Sequence, residues 1–147
     1  MEHVAWLARP QLRTPTLIAA FTGWNDAGDA ASLAVQQMIT TWKATKVAEI
    51  DPEEFFEFQA TRPHVRLVDG GAREIVWPPN EFYAASTPGG DVLLLAGTEP
   101  QLRWKSFTRQ IVEVAATSMI CRQNVRHLSW GSVPVSRSTS PPGVEAA

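Results

Sequence analysis

The chain has one cysteine, Cys121, in 147 residues. A single thiol cannot close an internal disulfide or build a cysteine metal cluster, and such usage is that of a reduced, cytoplasmic protein. Basic residues are also scarce: 13 Lys and Arg against 15 Asp and Glu leave a formal net charge of −2. A surface that neutralises phosphates needs the opposite balance, so neither nucleic acid nor an anionic membrane is an expected partner. No apolar run approaches the roughly 20 residues of a bilayer span; the longest, residues 92–96, has the length of a strand. Residues 1–6 show no basic segment leading into an apolar one, so no signal peptide is expected. The 3 histidines, His3, His64 and His127, are isolated and lack the H-x-x-x-H spacing of a metal site. No Ser/His/Asp or Cys/His set can be assembled, and Cys121 follows a predicted helix C-terminus, the wrong end of the dipole to activate a thiol. The expectation is no catalytic residue, no metal and no cofactor.

What is present reads as one α/β domain over residues 1–130, followed by a disordered Ser- and Pro-rich tail over 131–147. Residues 16–21 form an uncharged apolar run, the pattern of a strand buried on both faces. A glycine-bearing turn follows. Residues 30–42 then place Leu33, Ala34, Met38 and Trp42 near a 3.6-residue period, which predicts a helix with a core face. Together these make the first half of a βαβ unit. Residues 46–50 predict the next strand. Asp51-Pro52 with Glu54 predicts a capped short helix over 52–58. Residues 65–68 and 74–77 flank Asp69-Gly70-Gly71-Ala72, a hairpin signal, and 80–90 read as a loop. The strand over 91–96 ends at Gly97. Thr98 and Gln101 predict a second capping box, opening a helix to about Met119 with Trp104, Phe107, Ile111 and Val114 or Ala115 on its core stripe. Residues from Val125 predict one more strand. The 6 tryptophans are expected mainly to pack, with Trp24 and Trp77 at strand or turn ends and thus candidates for an interface.

The segment Gly23-Trp24-Asn25-Asp26-Ala27-Gly28-Asp29 lies between a predicted strand and helix, where ligands of open α/β sheets gather. Asp26 and Asp29 put carboxylates where a phosphate would sit, and the spacing is neither G-x-G-x-x-G nor a P-loop. The preferred reading is structural: aspartates capping the helix, and glycines supplying tight geometry. The functional alternative is a ligand site for a cation, hydroxyl or amine built from Gly23, Asn25, Asp26, Gly28 and Asp29.

The stretch from Phe21 through Asp29 to Ala31 closely resembles the opening motif of the bacterial PAC2 family, the proteasome assembly chaperone 2-like proteins of actinobacteria. Further segments resemble the same family in order: Glu49-Ile50-Asp51-Pro52-Glu53-Glu54-Phe55; Thr61-Arg62-Pro63 with Arg66-Leu67-Val68-Asp69-Gly70; Trp77-Pro78-Pro79-Asn80-Glu81-Phe82; and Gly97-Thr98-Glu99-Pro100-Gln101-Leu102-Arg103-Trp104. The resemblance implies a three-layer α/β/α sandwich with a mostly parallel sheet plus a β-hairpin, incomplete at its C-terminal end. It further implies a homo-oligomer or protein-binding role of an assembly or chaperone kind. It carries over no catalytic residue, and no ATP-grasp constellation is present; a ligase-like enzyme using Asn25, Asp26 and Asp29 is the alternative. Members of the family are longer. Past residue 120 the sequence departs from their pattern, and the expectation is a frameshift or early stop near 121–130 that leaves an unstable or non-functional product.

Overall fold

A computed structural model describes residues 3–119. The expectations for Cys121, His127, the strand from Val125 and the 131–147 tail lie outside the described residues. Strands β1 (Val4–Trp6), β2 (Thr16–Thr22), β3 (Thr45–Ile50), β6 (Asn80–Thr87) and β7 (Gly90–Thr98) form one sheet in the order β1-β3-β6-β7-β2. Strands β4 (His64–Leu67) and β5 (Arg73–Val76) pair only with each other. Helices α1 (Ala30–Thr41) and α2 (Trp104–Ser118), with a short 3-10 turn at Ala27–Asp29, complete the described elements.

The sheet is mixed rather than mostly parallel. Among the described strands only β2 and β7 pair in parallel; β1–β3, β3–β6 and β6–β7 are antiparallel. The reason is β6, which occupies most of the stretch expected to be a loop. Its residues alternate between two packed faces, Phe82 and Ala84 on one and Tyr83 and Ala85 on the other, so no polar–apolar alternation marks it. Pro88 and Gly89 join it to β7 in a tight hairpin, with Thr87 opposite Gly90. That hairpin inserts between β3 and β2, so β2-α1-β3 is a crossover that spans two strands.

β7 is the centre of the sheet's packing, with Leu93, Leu94 and Leu95 fully buried. Leu93 and Leu95 face a core with Val47, Ile50, Phe55, Phe82, Phe107 and Val114. Val92, Leu94 and Ala96 face a second core with Ala20 and Val35. Each helix thus packs one face. Helix α2 docks through Phe107, whose ring meets Phe55 at 5.3 Å and Phe21 at 5.9 Å between centroids.

Several local expectations are corrected. β2 is not buried on both faces: among the described residues it pairs only with β7, and Leu17 and Ala19 are exposed. On α1 the core stripe is Val35, Met38, Ile39 and Trp42, while Leu33 and Ala34 face outward; the two stripes differ by a small rotation that a short helix with many apolar residues permits. Residues 52–58 make turns, not a helix. The Asp51 carboxylate accepts the Glu53 amide at 3.0 Å, an Asx turn, and Phe55 and Phe56 are pulled into the core. Thr98 ends β7 instead of capping a helix; residues 98–102 are pinned by the Pro79, Thr22 and Phe55 carbonyls, and α2 starts at Trp104, which is half exposed. The β4–β5 hairpin forms as expected around its glycine turn, and its register sets Val65 opposite Ile75 and Arg66 opposite Glu74.

Candidate functional site

β2 ends at Thr22, and the chain turns through Gly23 (φ 149°) into Trp24. The five candidate residues then separate. Asp26 is buried beneath the start of α1, where one carboxylate oxygen accepts the Ala31 amide at 2.8 Å and the other accepts the Ser32 amide at 3.2 Å and the Ser32 hydroxyl. These are the second and third amides of the helix, the donors that a capping side chain satisfies. The Ser32 hydroxyl bond, with the two amides, holds the Asp26 carboxyl below its ordinary value of 3.8, against the opposing effect of burial. Gly28 and Asp29 adopt left-handed backbone, with φ 66° and 57°, and both residues and Asn25 are exposed. Asp29 precedes α1 but makes no side-chain cap bond.

Gly23 alone of the five lines a cleft of about 310 Å³ at the carboxyl ends of β2 and β7. Trp24, Thr22, Thr98, Glu99 and Gln101 line it too. The Thr22 hydroxyl donates to the Thr98 hydroxyl at 3.3 Å. The Gln101 side chain is fixed on both sides, its amide nitrogen donating to the Thr61 hydroxyl at 2.5 Å and its oxygen accepting the Glu57 amide at 3.1 Å. Reading the sequence alone missed Glu99, because Thr98-Glu99-Pro100-Gln101 looks like a helix start and so gives Glu99 no role beyond the first turn. A broader groove of about 500 Å³ runs along the outer side of α2 past Trp104, Thr108 and Val112.

A second polar cluster lies on the sheet face that α1 packs. Lys46 Nζ contacts Glu49 at 2.6 Å and Glu81 at 2.7 Å, and the Tyr83 hydroxyl donates to Glu81 at 2.7 Å. Burial, reinforced by the bond to the Glu81 carboxylate, pushes Tyr83 up to about 12. Burial opposes the charge on Lys46, yet its two carboxylate partners outweigh that and raise it. Among the described residues no group of three His, Cys, Asp or Glu side chains is arranged to hold a metal ion, and no helix is long and apolar enough to cross a membrane.

These features define a mixed α/β domain with a cleft at the carboxyl ends of the parallel β2–β7 pair. A PAC2 family model matches residues 20–136, and the chain belongs to that family. It is 43% identical to a PAC2 family protein from Streptomyces avermitilis, over 69% of this chain and 44% of that one, with a TM-score of 0.66. It is 40% identical to the proteasome-assembly chaperone homologue Rv2125 of Mycobacterium tuberculosis, over 70% of this chain and 45% of that one, with a TM-score of 0.63. A Corynebacterium glutamicum protein at 21% identity, with a TM-score of 0.66, shares the fold. The chain therefore spans less than half the length of these relatives. No curated protein matches it.

Proposed function

We propose that the chain serves a non-enzymatic assembly or chaperone-like role in the cytoplasm, binding protein subunits and its own copies through exposed apolar surface. Membership of the PAC2 family supports this, as does similarity to a proteasome-assembly chaperone homologue. The observation that carries it is the β4–β5 hairpin. Cross-strand partners share a face, so Val65, Leu67 and Ile75 project together; they are 65%, 70% and 56% exposed, and Trp77 follows at 47%. A lone two-stranded hairpin is marginal in water, and contiguous exposed apolar surface marks a protein interface. With one helix on each face of the sheet, a three-layer sandwich over residues 1–130 is the architecture proposed for the domain.

The test is the rate at which proteasome core subunits assemble with and without the full chain, beside sedimentation of the chain alone. Wild type is expected to speed assembly and to self-associate. V65S/I75S is expected to lose both with little change in thermal midpoint, because these side chains contribute little to the core. Unchanged assembly rates with wild type would sink the reading. The second reading, a small-molecule site at the Gly23–Asp29 turn, has in its favour that Gly23 borders the cleft.

A further inference from the structure

We propose that the cleft at the carboxyl ends of β2 and β7 binds a cationic group, an ammonium or a guanidinium, with Glu99 as counter-ion and the exposed Trp24 indole at its rim as an aromatic contact. The proposal shifts the ligand-binding carboxylate from the Gly23–Asp29 turn to the strand end beside it, and it does not rest on the assembly reading.

Glu99 is half buried, and its carboxylate makes no hydrogen bond or ion pair among the described residues. Its backbone is held in place, with its amide donating to the Thr22 carbonyl at 2.9 Å. Gly23 leaves the space that the side chain occupies. A Cβ at Gly23 would sit 2.7 Å from Glu99 Oε2 and 3.0 Å from Glu99 Cβ, and the φ of 149° is one that side-chain-bearing residues rarely adopt. The glycine of the turn therefore makes room for the carboxylate. Asp26, by contrast, is fully engaged with the amides of α1 and unavailable to a ligand.

The lining decides the class of ligand. The cleft offers a carboxylate and the hydroxyls of Thr22 and Thr98, with no lysine or arginine in its wall among the described residues. An anion would meet Glu99 uncompensated, and an apolar group would strip water from it without replacing the lost bonds. A cation gains a charge-assisted bond to the carboxylate. Trp24 is fully exposed, an unusual state for so large an apolar ring, and indole is the best cation-binding face among side chains. The size of the cleft suits a side-chain head group or a small amine and sits at the lower end for ligand pockets.

The experiment titrates the full chain with agmatine, with a capped Gly-Arg-Gly peptide and with its citrulline counterpart, which keeps the shape and loses the charge. Binding is read from the Gly23 backbone amide and the Trp24 indole N–H in isotope-edited spectra. Agmatine and the arginine peptide are expected to shift both resonances saturably, and the citrulline peptide to bind at least about tenfold more weakly. E99Q is expected to weaken the arginine peptide about tenfold, and W24A, followed at Gly23, about two- to fivefold. A peptide that binds more tightly than agmatine assigns the cation to a protein partner, and equal affinities assign it to a free amine; both uphold the site. No shift at millimolar ligand, or equal binding of the arginine and citrulline peptides to wild type, overturns it. Failure of the assembly test with success here, or the reverse, separates the two readings.

Discussion

Tyr83 and Glu81 illustrate how neighbours set the chemistry of a residue. Tyr83 is the only tyrosine in the chain, so its ionisation can be followed by absorbance without overlap from another phenol. Burial and the bond to Glu81 raise it from 10.0 to about 12. A raised folded value means the native state holds its proton more tightly than the unfolded chain. The stabilisation is fully present below pH about 10 and is lost as pH rises through about 12. The expected result is a tyrosinate midpoint near 12 that moves part of the way toward the ordinary value in E81Q; a midpoint in E81Q equal to that of wild type would show that the Glu81 contact is absent in solution. Glu99 was hidden from a sequence reading for a related reason. Its role comes from the gap at Gly23, just past the end of β2 and 76 residues away in sequence, brought beside it by pairing register, Thr22 opposite Thr98, and no local spacing records it.

Helix α1 shows how an element depends on a residue outside it. The residue directly before the helix, Asp29, has left-handed backbone and no side-chain cap bond, and Asp26 supplies the cap from further back. The aspartate-rich turn was legible as a helix start, but which aspartate caps depends on the left-handed steps at Gly28 and Asp29, which fold Asp26 under the first turn. A lowered folded value means that this stabilisation is present above the ordinary carboxylate range and is lost as pH falls through that range and below it. D26N is expected to lower the thermal midpoint at neutral pH and to flatten its fall in acid. An acid limb as steep as in wild type would assign the loss to other carboxylates. At the other end of the chain, α2 begins later than its capping signal predicts, because Thr98 is taken into β7 and the following residues bond to Thr22 and Phe55.

At the scale of the molecule, two cores are joined through the sheet, and each helix holds one of them. Phe107 links α2 to the sheet, being 3% exposed and in contact with the Phe55 and Phe21 rings. F107A is expected to destabilise the chain by about 3–5 kcal/mol, the range for a buried Phe cut to Ala, measured by urea unfolding. A loss under about 1 kcal/mol would mean that α2 is not an integral layer of the fold. The β4–β5 hairpin stands apart from both cores, with no ladder to the main sheet. That separation is what makes its apolar face available to a partner, and it is why the V65S/I75S variant is expected to change association more than stability.

The sequence by itself determined the elements whose signals are local: the apolar run of β2, the helix that follows the Gly23–Asp29 turn, the glycine turn of the β4–β5 hairpin, and the ordered motifs that mark the PAC2 family. These depend on periodicity, turn chemistry and composition, which act over a few neighbouring residues. Only the tertiary structure decided the mixed sheet, because the strand character of β6 comes from burial on both faces and from pairing with β3 and β7. Only it separated Asp26, spent on α1, from Glu99, left open in the cleft. The first depends on which distant strands pair; the second depends on the left-handed steps at Gly28 and Asp29, which fold Asp26 under α1, and on the β2–β7 register, which sets Glu99 beside Gly23.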